Sequence, residues 1–215
     1  MFKINKNNLI LFDCDGVVLN SNQIKSEAFF NVAAEYNTSS AFDLVEYNKK
    51  NGGLSRYKKF QYYLEKILPK YANLKLDSNK LAIKFGEQVK KALLKCEISP
   101  YLFELKNKYP DTNWAIISGG DQSELRYIFN ERKLSYLFNM GIWGSPSSKF
   151  EIVENNFRSC LKSKILYLGD SKLDHEVAKY YNFDFIFVSD WTEFTGWKSY
   201  IKEHSIKTIK NLDNL

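Results

Sequence analysis

Two carboxylates separated by one residue follow an apolar run near the start of the chain, and such a pair can bind a metal ion or move protons. Residues 9–12 are the apolar run, Asp13 and Asp15 are the acids, and Gly16 follows them. Carboxylates this close repel each other unless a cation or a shared proton compensates them. Because Mg²⁺ prefers carboxylate oxygens, the pair predicts a magnesium site. The alternative is a turn that carries two aspartates, since Asp and Gly are common in turns.

A second pair of acids follows another apolar run much later in the chain. Residues 165–169 form that run, and Asp170 and Asp174 come after it. The two acids are one helical turn apart, so both carboxylates lie on one side if the segment is helical. The pair adds ligands to the predicted metal site, although Asp174 alone is also suited to begin a helix.

Two further segments carry groups that can bind an anion. The apolar run 114–117 is followed by Ser118 and Gly119, and a hydroxyl beside accessible backbone N–H groups can hold a phosphoryl oxygen. Lys149 stands at the start of a segment with helical apolar spacing. Each has an ordinary alternative, namely a strand-to-helix turn for Ser118 and a solvated surface position for Lys149.

Together, these four segments resemble the motifs of the haloacid dehalogenase superfamily of phosphohydrolases. The matching residues are DCDGVV at 13–18, Ser118, Lys149 and GDSKLD at 169–174, and they occur in the family's order. The resemblance covers most of the chain and is greatest to the branch of phosphoglycolate phosphatases and β-phosphoglucomutases. Its first and last motifs are the specific ones, while the serine and the lysine gain weight from their positions.

The resemblance implies a two-step phosphoryl transfer. Asp13 would attack phosphorus and form an aspartyl-phosphate, while Asp15 would protonate the leaving alcohol and later take a proton from water. Ser118 and the N–H group of Gly119 would bind phosphoryl oxygens, and Lys149 would offset negative charge. Family members that cleave halides or phosphonates lack the second acid, so Asp15 favours a phosphatase or a phosphomutase.

The resemblance also implies which residues would hold Mg²⁺. The ligands would be the carboxylates of Asp13 and Asp170 and the backbone carbonyl of Asp15. Asp174 would act through a water molecule or would support the ligands from behind.

Alternation of predicted strands and helices indicates the fold. Such alternation builds a doubly wound, Rossmann-like parallel α/β sheet. Strands are expected at 114–118, near 139–143, at 165–169 and at 184–188, and helices near 101–109, 122–131, 149–158 and 174–181.

After residue 18 this alternation stops, and apolar residues recur at helical spacing up to about residue 97. We therefore expect an all-helical cap domain at 19–98, inserted into a core domain formed by 1–18 and 99–215. The two linkers are expected to act as hinges. The clearest example of the helical spacing is the series Leu81, Phe85, Val89 and Leu93.

Three basic residues of the expected cap are candidates for binding the rest of the substrate. Arg56 and Lys59 follow a segment, 53–56, that resembles the cap loop of this branch of the family, and Arg56 can hold a second anionic group through two parallel hydrogen bonds. The alternative is a helix that begins at Ser55 and leaves Arg56 and Lys59 solvated. Lys25 occupies a position where many relatives carry histidine, which weakens a mutase interpretation.

The resulting prediction is a Mg²⁺-dependent phosphatase that acts on a small phosphorylated metabolite. A sugar-phosphate mutase similar to β-phosphoglucomutase is the alternative within the family. A receiver-like signalling domain also combines acids, a hydroxyl and a lysine, but it gives no reason for the helical insert or for the last motif. The substrate and the oligomeric state remain open.

Composition agrees with a globular enzyme of 215 residues. The net charge is +6, but the lysines are scattered, so nucleic-acid binding is not expected. No apolar run is long enough to span a membrane, and no membrane association is expected. The three cysteines have no metal-ligand spacing, and their odd number together with the absence of a signal peptide favours the reducing cytoplasm. Strand alternation turns Cys14 away from its two acidic neighbours, which predicts a buried structural thiol.

Overall fold

A single parallel sheet organises the molecule. The computed structural model describes residues 9–161 and 163–215, in which six parallel strands pair in the order β3-β2-β1-β4-β5-β6. The predicted α/β parallel sheet is therefore confirmed. The strands are Leu9–Phe12 (β1), Asn113–Asp121 (β2), Ile142–Ser145 (β3), Ile165–Gly169 (β4), Asp184–Val188 (β5) and Lys207–Ile209 (β6).

The strand order reverses between β1 and β4, which are hydrogen-bonded neighbours. The acids predicted from the sequence follow these two strands directly. Open parallel sheets bind ligands at the carboxyl ends of the strands where the order reverses, so the fold alone brings both acidic motifs to such a position.

Side-chain alternation along the strands divides the core into two layers. Ile10 and Phe12 belong to one layer, and Leu9 and Leu11 belong to the other, as expected for a strand buried on both faces. Helices cover both faces of the sheet. After residue 98, α-helices lie at Leu102–Lys108 (α5), Gln122–Glu131 (α6), Lys149–Asn156 (α7), Lys172–Tyr180 (α8) and Trp197–Glu203 (α9).

The chain between β1 and β2 forms a helical segment that we call the insert, residues 22–93. Its apolar residues pack inward, and the rings of Phe29, Phe60 and Phe85 lie against one another. The linkers at its two ends meet, because Leu19 bridges to Ile98. The α-helices of the insert are Asn22–Ala34 (α1), Thr38–Lys50 (α2), Arg56–Tyr62 (α3) and Ser78–Leu93 (α4), and a π-helical turn at Tyr63–Ile67 extends α3.

The structure departs from the sequence-based expectations mainly at one end of the chain. Helix α9 and strand β6 were not expected, because the polar residues after Trp191 show neither apolar period clearly. Strand β2 also extends three residues beyond the expected Ser118, to Asp121. Among the described residues, no helix is both long enough and apolar enough to cross a membrane.

Candidate active site

Three buried carboxylates meet at the carboxyl ends of β1 and β4. Asp13 follows β1, Asp170 follows β4, and Asp174 lies in the first turn of α8. Each residue offers one carboxylate oxygen such that these atoms lie within 4.8 Å of one another. The two acidic motifs, which are far apart in the sequence, therefore form one cluster.

Lys149 is the cation of this cluster. It is the first residue of α7, and its Nζ atom lies 2.8 Å from Oδ1 of Asp13 and 2.5 Å from Oδ1 of Asp174. Only 1% of the residue is exposed, so the solvated-surface alternative is wrong. Burial alone would lower the pKa of Lys149, but the two carboxylates outweigh it and raise that pKa well above its usual value.

Protein donors hold both carboxylate oxygens of Asp174. Oδ1 accepts hydrogen bonds from Lys149 and from the hydroxyl of Tyr167 at 2.8 Å. Oδ2 accepts from the backbone N–H and the hydroxyl of Ser171, the residue that caps α8. Asp174 thus fixes the position of Lys149. The helix-start alternative is wrong, because Ser171 is the N-cap of α8 and Asp174 is the third helical residue, which completes the capping box.

One lysine does not neutralise three buried acids. Burial and the neighbouring Asp174 raise the pKa of Asp13 to about 7, although Lys149 opposes this effect. Burial, Asp13 and Asp174 raise the pKa of Asp170 well above its usual value. The oxygen-only donor set and the uncompensated charge both fit a divalent cation such as Mg²⁺. Asp13 and Asp170 are the two acids of the cluster whose carboxylates also line the cavity beside it.

Asp15 lies beside the cluster but has its own cation. Its Oδ2 accepts from Nζ of Lys25 at 2.5 Å, and its Oδ1 accepts from the hydroxyl of Ser21 at 2.5 Å. Burial would raise the pKa of Asp15, but the ion pair with Lys25 and both hydrogen bonds keep that pKa below its usual value. Lys25, predicted only as a substrate contact, is therefore a partner of the proposed general acid.

Two elements that the sequence did not implicate hold Asp170. Asn22, at the start of α1, donates to Oδ2 of Asp170 at 2.7 Å and to the backbone carbonyl of Trp191 at 3.0 Å. Thr192 donates to the backbone carbonyl of Asp170 at 2.7 Å. Asn22 and Thr192 belong to ordinary polar segments, so only the folded chain reveals their role.

A cavity of about 60 Å³ lies between the acids and the insert. Among the predicted site residues, Asp13, Asp15, Asp170 and Gly119 line it from the sheet side, and Lys25, Arg56 and Lys59 line it from the insert. The remaining three, Ser118, Lys149 and Asp174, lie behind its wall. Ser118 is fully buried, and its Oγ accepts from the backbone N–H of Gly120 at 3.0 Å.

A backbone contact closes the cavity at Gly119. A Cβ atom built on Gly119 would lie 2.1 Å from the carbonyl oxygen of Gly53, so a side chain at this position would prevent the approach. Gly53 has a φ of +82°, which is a conformation that favours glycine. The loop before α3 therefore packs directly against the end of β2.

Arg56 and Lys59 of the insert are buried rather than solvated. Ser55 caps α3, as the alternative interpretation expected, but Arg56 is only 7% exposed and Lys59 only 5%. Arg56 donates from Nη2 to Oε1 of Glu124 in α6 at 2.6 Å. This ion pair joins the insert to the sheet domain. Nζ of Lys59 donates to Oδ1 of Asn48 at 2.6 Å.

Cys14 is fully buried in the core, and burial raises the pKa of its thiol well above the usual value. Its backbone N–H donates to Oδ1 of Asp13 at 2.8 Å. The residue therefore contributes packing and a backbone donor, as predicted for a structural thiol.

The sequence matches a family model described as haloacid dehalogenase-like hydrolase over residues 10–188. No curated protein matches the sequence significantly.

Solved structures share the fold at low sequence identity. A predicted phosphoglycolate phosphatase from Haemophilus somnus 129PT is 19% identical with a TM-score of 0.67, and the match covers 86% of this chain and 87% of that one. A β-phosphoglucomutase from Clostridium difficile is 15% identical with a TM-score of 0.70, covering 96% and 92%. A HAD hydrolase from Bacillus subtilis bound to magnesium is 14% identical with a TM-score of 0.64, covering 96% of each chain.

Proposed function

This chain belongs to the haloacid dehalogenase-like hydrolase family and is an enzyme of that family; on that premise we propose that it is a Mg²⁺-dependent phosphatase of a small phosphomonoester. The observation that carries the proposal is the carboxylate of Asp13, which borders the cavity and is held beside Lys149 and two further buried acids. A carboxylate in these surroundings is oriented to act as a nucleophile, and cationic groups beside it suit a phosphoryl group.

In the proposed first step, a carboxylate oxygen of Asp13 attacks phosphorus, and the bond from phosphorus to the leaving oxygen breaks. Asp15 donates a proton to that oxygen, so the leaving group departs as an alcohol. In the second step, Asp15 takes a proton from a water molecule whose oxygen attacks phosphorus, which releases phosphate and restores Asp13. Lys149 and the N–H of Cys14 both donate to Oδ1 of Asp13, which supports the fixed orientation that the attack requires.

Asp15 has to change partners during this reaction. Its carboxylate is held in the ionised form by Lys25 and Ser21, so it lacks the proton that the first step needs. Before the leaving oxygen can receive a proton, Asp15 therefore has to separate from Lys25 and take up a proton from solvent water.

The acids fit Mg²⁺, which would supply positive charge for the phosphoryl group when bound. Asp13 and Asp170, with the backbone carbonyl of Asp15, would hold it. Asp174 would support this arrangement indirectly, because protein donors occupy both of its oxygens. The backbone at Gly119 would donate to phosphoryl oxygens, and Ser118 would orient that backbone from behind the cavity wall.

We propose that the insert serves as a cap, with the cap domain at 19–98 and the core domain at 1–18 and 99–215. The cap would open and close over the cavity through the paired linkers near Leu19 and Ile98. A cavity lined from both sides supports a small phosphorylated metabolite as substrate. The three cysteines are free thiols, which supports a cytoplasmic location.

Release of inorganic phosphate from p-nitrophenyl phosphate and from small alkyl phosphates tests the proposal. Activity should require Mg²⁺ and should be lost in excess EDTA. Asp184→Asn is a matched control, because this exposed acid starts β5 and therefore lies at the amino ends of the parallel strands, away from the site at their carboxyl ends. Turnover that persists in excess EDTA would refute Mg²⁺ dependence.

A sugar-phosphate mutase remains the second candidate, because the fold is shared with a β-phosphoglucomutase. A mutase has to return the phosphoryl group to a sugar before water reaches it. Conversion of β-glucose 1-phosphate that depends on a sugar bisphosphate, with little phosphate released, would support the mutase. Phosphate release without such an activator would support the phosphatase.

A further inference from the structure

The cations at the insert side of the cavity differ in how they are neutralised. Lys25 pairs with Asp15, Lys49 pairs with Glu46, and Arg56 pairs with Glu124. Lys59 donates only to the neutral amide of Asn48, and no carboxylate pairs with it among residues 9–161 and 163–215. Lys59 is therefore a buried, cavity-lining cation without a counter-ion in the described part of the chain.

A buried ammonium group without a counter-ion costs folding free energy. Burial and the nearby Lys25 lower the pKa of Lys59 to about 7. The ring of Phe29, whose centroid lies 5.4 Å from Nζ, stabilises the charge without neutralising it. An anionic group that entered the cavity and reached Lys59 would remove this cost.

A chain of hydrogen bonds fixes the side chain that holds Lys59. Asn48 accepts from Lys59 and donates from Nδ2 to Oγ of Ser26 at 2.9 Å. Ser26 in turn donates to Oε2 of Glu193 at 2.5 Å. Glu193 lies after β5, whereas the other three residues belong to the insert, so the chain of bonds spans both parts of the molecule.

The charges favour a ligand with a single negative charge. Lys59 offers one positive charge, Arg56 and Lys49 are paired with Glu124 and Glu46, and Glu193 adds an acid to the lining of the same cavity. A second phosphate, with two negative charges, would meet too little positive charge and one repelling acid.

We propose that Lys59 determines specificity by binding a carboxylate on the leaving group of the substrate, with Asn48 as the residue that positions it. The proposal rests on the proposed phosphatase function and assigns the substrate class, a short phosphorylated carboxylic acid.

The test compares phosphoglycolate with 2-hydroxyethyl phosphate, which has the same chain length but carries an uncharged CH2OH group in place of the carboxylate. The wild type should prefer phosphoglycolate in kcat/KM. Lys59→Met should reduce this preference about ten- to a hundredfold, mainly through KM, because a charged hydrogen bond is lost. Lys58→Met is the matched control, since Lys58 is exposed on the same helix, and it should retain the preference.

Asn48→Asp supplies a second, independent variant. This substitution leaves Lys59 in place and hardly changes the size of residue 48, but it puts a carboxylate of the protein beside the ammonium group of Lys59. It should therefore reduce the preference as Lys59→Met does. A preference that survives both substitutions would overturn the proposal, as would a wild type with no preference for the carboxylate.

The pH dependence of KM separates binding by charge from a structural role. Above about pH 7, KM for phosphoglycolate should rise in the wild type, while Lys59→Arg, which stays charged, should keep it constant. The pKa of Lys59 also depends on four nearby charged groups: Lys25 on α1, Asp13 and Asp15 after β1, and Lys149 on α7. Titration of these groups affects both substrates, so the KM for hydroxyethyl phosphate serves as the reference. Equal pH profiles for the two substrates would overturn the proposal. Failure of the wild type to hydrolyse either substrate with Mg²⁺ would instead refute the proposed function.

Discussion

Lys25 donates from Nζ to Oδ2 of Asp15 across 2.5 Å, so the residue proposed as the general acid is held as a carboxylate by an ammonium group from the insert. The pair joins a residue that follows β1 to α1. A movement of the insert would therefore change the protonation of Asp15, because a shift of α1 would remove Lys25 from that carboxylate.

Asp15→Asn tests the role of this carboxylate. We expect kcat for alkyl phosphates to fall about 10²–10⁴-fold, which is the usual contribution of a positioned acid or base. Aryl phosphates should be affected much less in the step that forms the aspartyl-phosphate, because their leaving groups need no proton. Burst kinetics isolate that step, and equal losses for both substrate types would exclude general acid catalysis.

Asp13→Asn should remove the nucleophile and reduce kcat by several orders of magnitude. Lys149 keeps Asp174 as a partner in this variant, so the fold should be preserved. Acid-quenched wild-type enzyme should carry phosphate on residue 13 in a peptide mass spectrum, and the variant should carry none. Phosphate found on another residue would contradict the assignment.

Mg²⁺ should stabilise the folded protein, because it binds the native acid cluster and not the unfolded chain. At about a hundred times the dissociation constant, we expect the melting temperature to rise by roughly 5 °C or more. Asp170→Asn should abolish the rise, whereas Asp184→Asn should retain it. A rise that persists in Asp170→Asn would place the metal elsewhere.

The ion pair between Arg56 and Glu124 should show coupling between its partners. Removing either one leaves a buried charge, so Arg56→Met and Glu124→Gln together should cost roughly 1–3 kcal/mol less than the sum of the single changes. Urea unfolding of the four proteins measures this difference. The exposed pair Lys172–Glu176, at 3.5 Å, is the control and should couple by under about 0.5 kcal/mol. If the losses of unfolding free energy in the two single variants simply add up in the double variant, the ion pair does not stabilise the contact between α3 and α6.

Lys59 should make stability depend on pH. Its pKa is about 7 in the folded protein against 10.5 for an unperturbed lysine, so the unfolded chain binds more protons between these values. Stability should therefore rise by about 2 kcal/mol from about pH 7 to about pH 9 in the wild type relative to Lys59→Met. Urea unfolding at both pH values checks the sign, and a difference that falls with pH would mean that Lys59 has an acidic partner.

Strands β4 and β5 were predictable to the residue because each contains four consecutive apolar or aromatic residues, 165–168 in β4 and 185–188 in β5. The acidic motifs were predictable as a site because parallel strands bring their carboxyl ends together. The pairing of Lys25 with Asp15 was not, because it depends on how α1 crosses the end of β1. A sequence gives the spacing within a helix but not its placement over a sheet.

The residues that support the site were missed for a similar reason. Asn22, Asn48, Glu124 and Glu193 are ordinary polar residues in four separate segments, and none has a distinctive spacing. The solvated alternative for Arg56 was wrong because its partner, Glu124, lies 68 positions further along the chain. Helix capping at Ser55 was predictable because it depends only on adjacent residues.

The contact between Gly119 and the carbonyl of Gly53 sets a steric limit that salt cannot change. Dissolved ions weaken the attraction between exposed or partly exposed charges, but they do not alter the volume of a methyl group. The contact between the loop at Gly53 and the end of β2 consequently depends on the absence of a Cβ atom at Gly119. At high and at low ionic strength alike, a side chain at position 119 would collide with the carbonyl oxygen of Gly53 and keep the loop away from the strand end.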